Sequence, residues 1–316
     1  MEKRALGKSG ISIAPMVLGG NVFGWTIDEK TSFEVLDAYV DSGLECIDTA
    51  DVYSGWAHNG VGGQSETIIG NWLKKGGKRD KVVIATKVGK PMGEGKKGLS
   101  KKYIKQAVED SLKRLQTDYI DLYQSHEDDK SIPLSETLET FSELIKQGKV
   151  RAIGASNYSG DRLAQATEIS NTSNLIAYQT MQPEYNLYDR KDFETDLLKV
   201  CKTYELGVIP YFSLASGFLT GKYRSEDDLK KSVRGQGIKK YLDKRGHAIL
   251  KALDEVAATY KTTPASVALA WLIAQPTITA PIASATSVDQ LKSIVNATQL
   301  NFDKQTLDIL NKASEY

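Results

Sequence analysis

Short apolar runs alternate with longer amphipathic stretches along almost the whole chain, eight times over. The apolar runs are MVLGG (16–20), ECID (45–48), VVIATKV (82–88), IDLYQSH (120–126), RAIGASN (151–157), IAYQ (176–179), GVIPYFS (207–213) and TAPIAS (279–284). Helical periodicity fills the gaps at 30–42, 64–75, 101–115, 134–147, 160–169, 193–205, 246–260 and 264–274. Strands that are apolar on both faces, each followed by a helix, specify a parallel sheet covered by helices. Eight such units with no linker-like break predict an α/β chain folded as one closed (β/α)8 TIM barrel, a single domain over residues 1–316. The opening segment RALGKSGISIA, with glycines at its centre, predicts a small β-hairpin ahead of the first strand, and the stretches 287–297 and 303–313 predict extra helices after the last.

Two connections, 49–63 and 214–243, are too long to be simple turns. Loops of that length in a compact domain are usually functional, and both follow strand C-termini, the face on which barrel enzymes carry their active sites. The bulk charge narrows the function classes. With 41 basic against 40 acidic residues there is no long-range field to gather nucleic acid or an acidic membrane. The same-sign pairs Lys96-Lys97 and Lys101-Lys102 are short and read as solvated surface. Cys46 and Cys201 are the only cysteines. One sits in a strand-like run and one in a helix-like run, which fits a reducing cytoplasm rather than a disulfide framework. The opening MEKRALGKSG lacks the apolar core of a signal peptide, and no stretch approaches 18 apolar residues, so a soluble cytoplasmic protein is expected.

The strand ends should converge at the barrel mouth. They bring Gly20 and Asn21, Asp48, Lys87, His126, Ser156 and Asn157, Gln179, Tyr211 and Ser213, and Ser284. Alternation along the strands puts Cys46 on the side of Asp48, Ala85 with Lys87 and Gln124 with His126, so the charged tips face inward. A lysine aimed into a barrel needs an anion, and Asp48 is the candidate. A charged lysine beside Tyr53 would favour the phenolate, lowering the phenol from its ordinary value near ~10 and tuning it as a general acid for a substrate oxygen. His126 would then orient the same oxygen. The competing reading makes Asp48–Lys87 a structural ion pair, Tyr53 a loop anchor and His126 a core histidine. All four falling on strand tips of one barrel favours chemistry.

The segments DTADVY, ATKVG, DLYQSH, GKVRAIGASN and YFSLASGFLTGKY, in this order and at these separations, resemble the aldo-keto reductase family over essentially the whole chain. The resemblance implies a catalytic tetrad of Asp48, Tyr53, Lys87 and His126, with Tyr53 as proton donor. It implies NADPH, with NADH second, bound at the mouth. Ser156, Asn157 and Gln179 would hold the carboxamide and Tyr211 would stack on the nicotinamide. Phe212 and the segment Ser213, Leu214, Ala215, Ser216, Gly217, Leu219, Gly221 and Lys222 would wrap the pyrophosphate, and Arg234 would clamp phosphate or adenine. Gly20, Asn21, Asp48, Ile282, Ser284, Thr286 and Gln290 complete the implied cofactor set. A literal GxGxxG at 93–98 is not used, because four residues separate it from the strand and the fingerprint needs a tight turn directly after one.

The chain departs from the family pattern near its end. Ser284 stands where a glycine is common, Ser293 and Ile294 where an acid and an amide are common, and Gln290 where some members place a cation for the 2′-phosphate. Hydroxyls of Ser284 and Thr286, a helix N-terminus and Lys292 leave an expected NADPH preference of roughly 10–100-fold. Substrate would be a small carbonyl compound in a pocket of Trp25, Tyr53, Trp56 and His126, with His58 nearby. A cofactor-sensing subunit is the alternative within the family, since it includes channel-associated β-subunits, but those tend to carry an amide where His126 stands. A Schiff-base enzyme using Lys87 would need a depressed lysine, and Asp48 opposes that. A metal centre is not expected, because His58, His126 and His247 are unpaired in the sequence.

Overall fold

A computed structural model of the chain describes residues 2–232 and 235–316. It opens with an antiparallel hairpin, β1 (Arg4–Ala5) and β2 (Ser12–Ile13). The barrel strands are β3 (Val17–Gly19), β4 (Cys46–Asp48), β5 (Val83–Val88), β6 (Ile120–Ser125), β7 (Val150–Ser156), β8 (Thr180–Gln182), β9 (Gly207–Val208) and β10 (Ile282–Ala283). Parallel pairing runs unbroken from β10 to β3 and on through β9. The circuit closes where the Thr279 N–H donates to the Val208 carbonyl at 2.8 Å and the Ile282 N–H to the Pro210 carbonyl at 2.9 Å. The fold is the (β/α)8 barrel with its N-terminal hairpin.

Helices α1 (Glu29–Asp41), α2 (Gln64–Gly76), α3 (Lys101–Leu115), α4 (Leu134–Lys146), α5 (Gly160–Thr172) and α6 (Leu198–Tyr204) each follow a strand. α7 (Lys244–Thr259) and α8 (Pro264–Ile273) both precede β10, and α9 (Val288–Ala297) and α10 (Lys304–Ala313) follow it. Many start on short polar caps: Asp28, Ser100, Ser159, Asp243, Thr263, Ser287 and Asp303 each accept from the N–H three residues on. Their apolar stripes bury against the outside of the sheet, in a continuous layer that includes Ile47, Ile84, Val88, Tyr123 and Ile153.

The inside of the barrel holds a second, smaller core. Val17, Cys46, Ala85, Leu122, Ala152, Ile209, Ala280 and Ile282 fill it, and the hairpin residues Leu6, Ile11 and Ile13 plug its floor. Arg4 pins the hairpin by donating to the carbonyls of Ile273 at 2.8 Å and Ile278 at 3.0 Å. Gly7 adopts φ +58°, with its Cα against the Gln179 carbonyl, where a side chain would collide.

Two expected strands move. The run 176–179 lies before the strand and β8 begins at Thr180; Gln179 sits against the floor hairpin, its carbonyl beside Gly7 and its Oε1 accepting from the Lys8 N–H. β9 is two residues long rather than seven. The long 214–243 connection carries 3₁₀ turns at Ala215–Thr220, Glu226–Lys231 and Gly235–Tyr241.

The crossing of α2 and α3 beneath the 49–63 loop is close. A Cβ on Gly70 would stand 2.1 Å from the Arg114 carbonyl oxygen. Helix propensity alone favours Ala over Gly by about 1 kcal/mol, but the backbone contact opposes it. Gly70→Ala is expected to lose about 1–3 kcal/mol net in urea unfolding, and a gain in stability would show that the two helices separate freely.

Candidate active site

β5 alternates so that Ile84 and Val88 pack outward while Ala85 faces the interior column. Lys87 shares the inward side, and its side chain is fully buried. An ammonium there must find an acceptor for each of its three N–H bonds. It finds Asp48 Oδ2 at 2.6 Å, the Thr49 carbonyl at 2.8 Å and Tyr53 Oη at 2.9 Å. The second carboxylate oxygen, Asp48 Oδ1, accepts from Gln182 Nε2 at 2.9 Å and Gln124 Nε2 at 3.3 Å. Four of the barrel strands thus meet in one hydrogen-bonded cluster. The Tyr53 and His126 rings stand edge to face with centroids 5.9 Å apart, and the Lys87 ammonium also lies 4.6 Å from the Tyr53 ring centre.

The electrostatics of this cluster correct one expectation. Lys87 does not lower the phenol of Tyr53. Burial, with the Asp48 charge beside it, pushes the phenol well above its ordinary value. The Asp48–Lys87 pair is close to neutral as a unit, so desolvation wins. Burial also lowers Lys87, against the opposing pull of Asp48. His126 is held neutral well below the usual imidazole range by burial, then by the charges of Lys87 and Lys90. Its Nδ1 is buried without a protein partner. At neutral pH the mouth therefore carries a protonated phenol, an uncharged imidazole and one compensated ammonium.

The neighbouring tips are ordered by amides and hydroxyls. Asn157 has the left-handed φ of +55° that asparagine tolerates. Its Nδ2 donates to the His126 carbonyl at 2.8 Å and its Oδ1 accepts from Tyr211 Oη at 2.9 Å. Ser156 Oγ donates to the Gln182 carbonyl at 2.9 Å. Gln179 does not join them. It lies at the other end of the barrel, its Oε1 accepting from the Lys8 N–H at 3.0 Å. Gln182, one pleat past Thr180 and buried, occupies the place expected for it. The signal for that shift was Pro183, which ends the strand after TMQ; the apolar IAYQ ahead of it was the misleading one.

Beyond β9 the backbone is unusual. Phe212, Ala215 and Ser216 adopt φ of 53°, 48° and 57°, and Gly217 follows at 101°. Left-handed non-glycine residues cost energy and cluster at ligand sites. The N–H groups of Ser213 and Leu214 meet no acceptor among the described residues, and Lys222 forms no ion pair among them. Leu219 is buried in the same turn and Gly221 ends it at φ 79°. Two N–H donors set between left-handed residues, beside a Lys222 ammonium that lies 5.1 Å from the Tyr223 ring centre, are a donor set suited to phosphate oxygens. Arg234 lies outside the described residues.

Across the mouth, Ser284 Oγ donates to Asn21 Oδ1 at 2.6 Å, and Gly20 is buried with its carbonyl accepting from Ser65 Oγ. Ile282 lines the interior. Thr286 N–H and Oγ1 both donate to Gln290 Oε1 at 3.0 Å, and Lys292 pairs with Asp289 at 2.7 Å. The cleft wall is aromatic. Trp25 and Trp56 stack edge to face at 5.4 Å, Trp56 lies 5.9 Å from Tyr53 and is half exposed, and His58 Nε2 holds the Gly24 carbonyl at 2.7 Å. Lys87 offers nothing to a Schiff base: its three N–H bonds are all engaged and no surface is open. Among the described residues no group of His, Cys, Asp and Glu is placed to hold a metal ion, and no helix is long and apolar enough to cross a membrane.

Lys87→Met would strand the Asp48 carboxylate among amides with no cation. It is expected to cost about 3–5 kcal/mol in urea unfolding, and adding Asp48→Asn should recover most of the loss. Equal midpoints for Lys87→Met and the parent protein would show that the pair is solvated rather than buried.

The sequence matches the aldo/keto reductase family model over residues 15–315. The uncharacterized oxidoreductase YrpG of Bacillus subtilis is 36% identical over 319 residues, spanning 98% of this chain and 95% of its own. Aldo-keto reductase YhdN of the same organism is 35% identical over 319 residues, spanning 97% and 90%. A putative voltage-gated potassium channel subunit beta of Schizosaccharomyces pombe is 32% identical over 335 residues, spanning 99% and 92%. Agreement of this extent, with the barrel and its polar mouth, supports oxidoreductase chemistry on carbonyl groups: the chain belongs to the aldo/keto reductase family.

Proposed function

We propose that this chain reduces aldehydes and ketones to alcohols with NADPH, in the cytoplasm, and that Tyr53 supplies the proton. The observation that carries this reading is the Lys87 Nζ to Tyr53 Oη hydrogen bond of 2.9 Å. It occupies an oxygen lone pair and leaves the phenol's own proton to be given away.

When bound, the nicotinamide supplies the hydride. The protein's share follows from the residues present. Tyr53 and His126 flank the position of a substrate carbonyl oxygen, the phenol as proton donor and the neutral imidazole as hydrogen-bond partner. Lys87 stabilises the phenolate left behind, since its N–H already points at that oxygen. Ser156, Asn157 and Gln182 present amide and hydroxyl groups suited to a carboxamide, and Tyr211 a ring face suited to stacking. Ser213, Leu214 and Lys222 are the donors suited to the pyrophosphate. The two cysteines are free and buried, which supports a reducing compartment.

Tyr53→Phe keeps the ring and removes the proton. Reduction of a benzaldehyde panel should fall about 10²-fold or more while NADPH still quenches tryptophan fluorescence. Because burial raises the phenol and lowers Lys87, any decline of the parent enzyme's reduction rate on the approach to pH ~10 should come from the lysine and not from the phenol. The ultraviolet difference between the parent and the Phe variant should therefore show no phenolate there. Near-normal kcat in the Phe variant would remove Tyr53 from the mechanism.

Cofactor choice is the second test. Thr286 and Lys292 are already engaged, with Gln290 and Asp289, and would have to exchange partners to meet a 2′-phosphate. The expected NADPH preference is therefore the low end of the range, about tenfold in kcat/KM, or ~1.4 kcal/mol. Asp289→Asn frees Lys292 and should widen it. Equal use of NADH by the parent enzyme would show that residues 284–292 form no phosphate site.

A further inference from the structure

Lys90 has no part in the chemistry above, yet it stands at the rim that carries His126. The β5 and β6 tips are tied there, the His126 N–H donating to the Val88 carbonyl at 2.8 Å, and Lys90 follows Val88 by two residues. Its side chain is half-buried and takes part in no hydrogen bond or ion pair with any described residue. The acids of the same rim are engaged elsewhere or stand apart. Asp128 receives both Arg162 Nε and Nη2 at 2.8 Å. Asp129 Oδ2 accepts from the Leu99 N–H at 2.9 Å, and its Oδ1 from Ser131. Glu127 forms no ion pair with Lys90.

A half-buried ammonium without a counterion is a poor use of a lysine for stability, since part of its hydration is lost and nothing replaces it. Its charge is felt at the reacting centre, where it is one of the two cations acting on the His126 ring. The loop that carries it also touches the 49–63 loop. The Met92 sulfur packs against Gly62, so tightly that a Cβ on that glycine would meet it at 2.7 Å. The 89–98 loop therefore packs on the far end of the 49–63 loop, the loop that carries Tyr53 and Trp56.

We infer that Lys90 is a specificity residue that pairs with a carboxylate on the substrate, and that the preferred substrates are aromatic or apolar aldehydes and ketones bearing an acidic group. This deepens the reductase reading and rests on it. The aromatic wall of Trp25 and Trp56 takes the apolar body, Tyr53 and His126 take the carbonyl oxygen, and Lys90 takes the charge. A single ammonium matches a monoanionic carboxylate as a point charge.

The test compares 4-formylbenzoate with its methyl ester, which keeps the ring and the carbonyl but removes the charge. With NADPH, the parent enzyme should favour the acid by about tenfold or more in kcat/KM, mainly through KM. The ratio should shrink as salt is raised. Lys90→Gln should bring the acid-to-ester ratio to about one, and Lys90→Arg should restore most of it. A ratio near one in the parent enzyme, or a ratio unchanged by Lys90→Gln, overturns the assignment. Failure of the reductase reading looks different: neither aldehyde would be turned over. Binding then decides the subsite alone. 4-(Hydroxymethyl)benzoate and its methyl ester are titrated against the tryptophan fluorescence of the NADP-bound protein. Tighter binding of the acid, lost in Lys90→Gln, upholds the site, and equal binding of the two overturns it.

Discussion

An ammonium placed inside a barrel loses several kilocalories per mole of hydration unless its surroundings are built to replace it, and the way this chain replaces it organises the whole mouth. Lys87 draws its acceptors from the end of β4, from the Thr49 carbonyl just beyond and from the loop residue Tyr53. Asp48 is steadied in turn by Gln124 of β6 and Gln182 of β8. The same bonds that neutralise the lysine therefore fix the relative positions of four strand tips. The geometry of the mouth and the geometry of the barrel share one network, and neither can loosen without the other.

That network also decides where protons reside. A lone lysine beside a phenol would draw the phenol down, but a lysine already matched by a carboxylate has little net field left, and burial then dominates. The phenol and the imidazole both stay uncharged. A protonated phenol is the form that can give a proton to an alkoxide as it develops, and a neutral imidazole can hydrogen-bond the same oxygen without competing to protonate it.

Much of this was legible in the sequence, for a physical reason. Strands buried on both faces read as unbroken apolar runs, so a charged or polar residue ending such a run stands out. Asp48, Lys87 and His126 were visible in that way, and Asn157 and Ser156 followed from the same rule. Gln179 was misread because the rule depends on register. IAYQ is the more apolar run, yet its last residue rests on the floor hairpin, and a slip along the strand exchanges one end of the barrel for the other. The sign of the Tyr53 shift was not legible at all. It depends on how fully Asp48 compensates Lys87, a matter of tenths of an ångström that no spacing encodes. The left-handed run at Phe212, Ala215 and Ser216 was equally hidden, since only glycines advertise such geometry in a sequence.

The hairpin at the barrel floor imposes an order on the birth of the molecule. Residues 4–13 are made long before their partners: Arg4 finds its acceptors only in the carbonyls of Ile273 and Ile278, and β3 pairs with β10 at Ile282 and Ala283. At a synthesis rate of about 5–20 residues per second, the opening segment waits more than ten seconds with Leu6, Ile11 and Ile13 uncovered. Residues made early are among the last to be seated. During that interval a nascent chain carries an apolar, strand-forming segment that its own sequence cannot yet cover, an open edge of the kind on which two chains can pair.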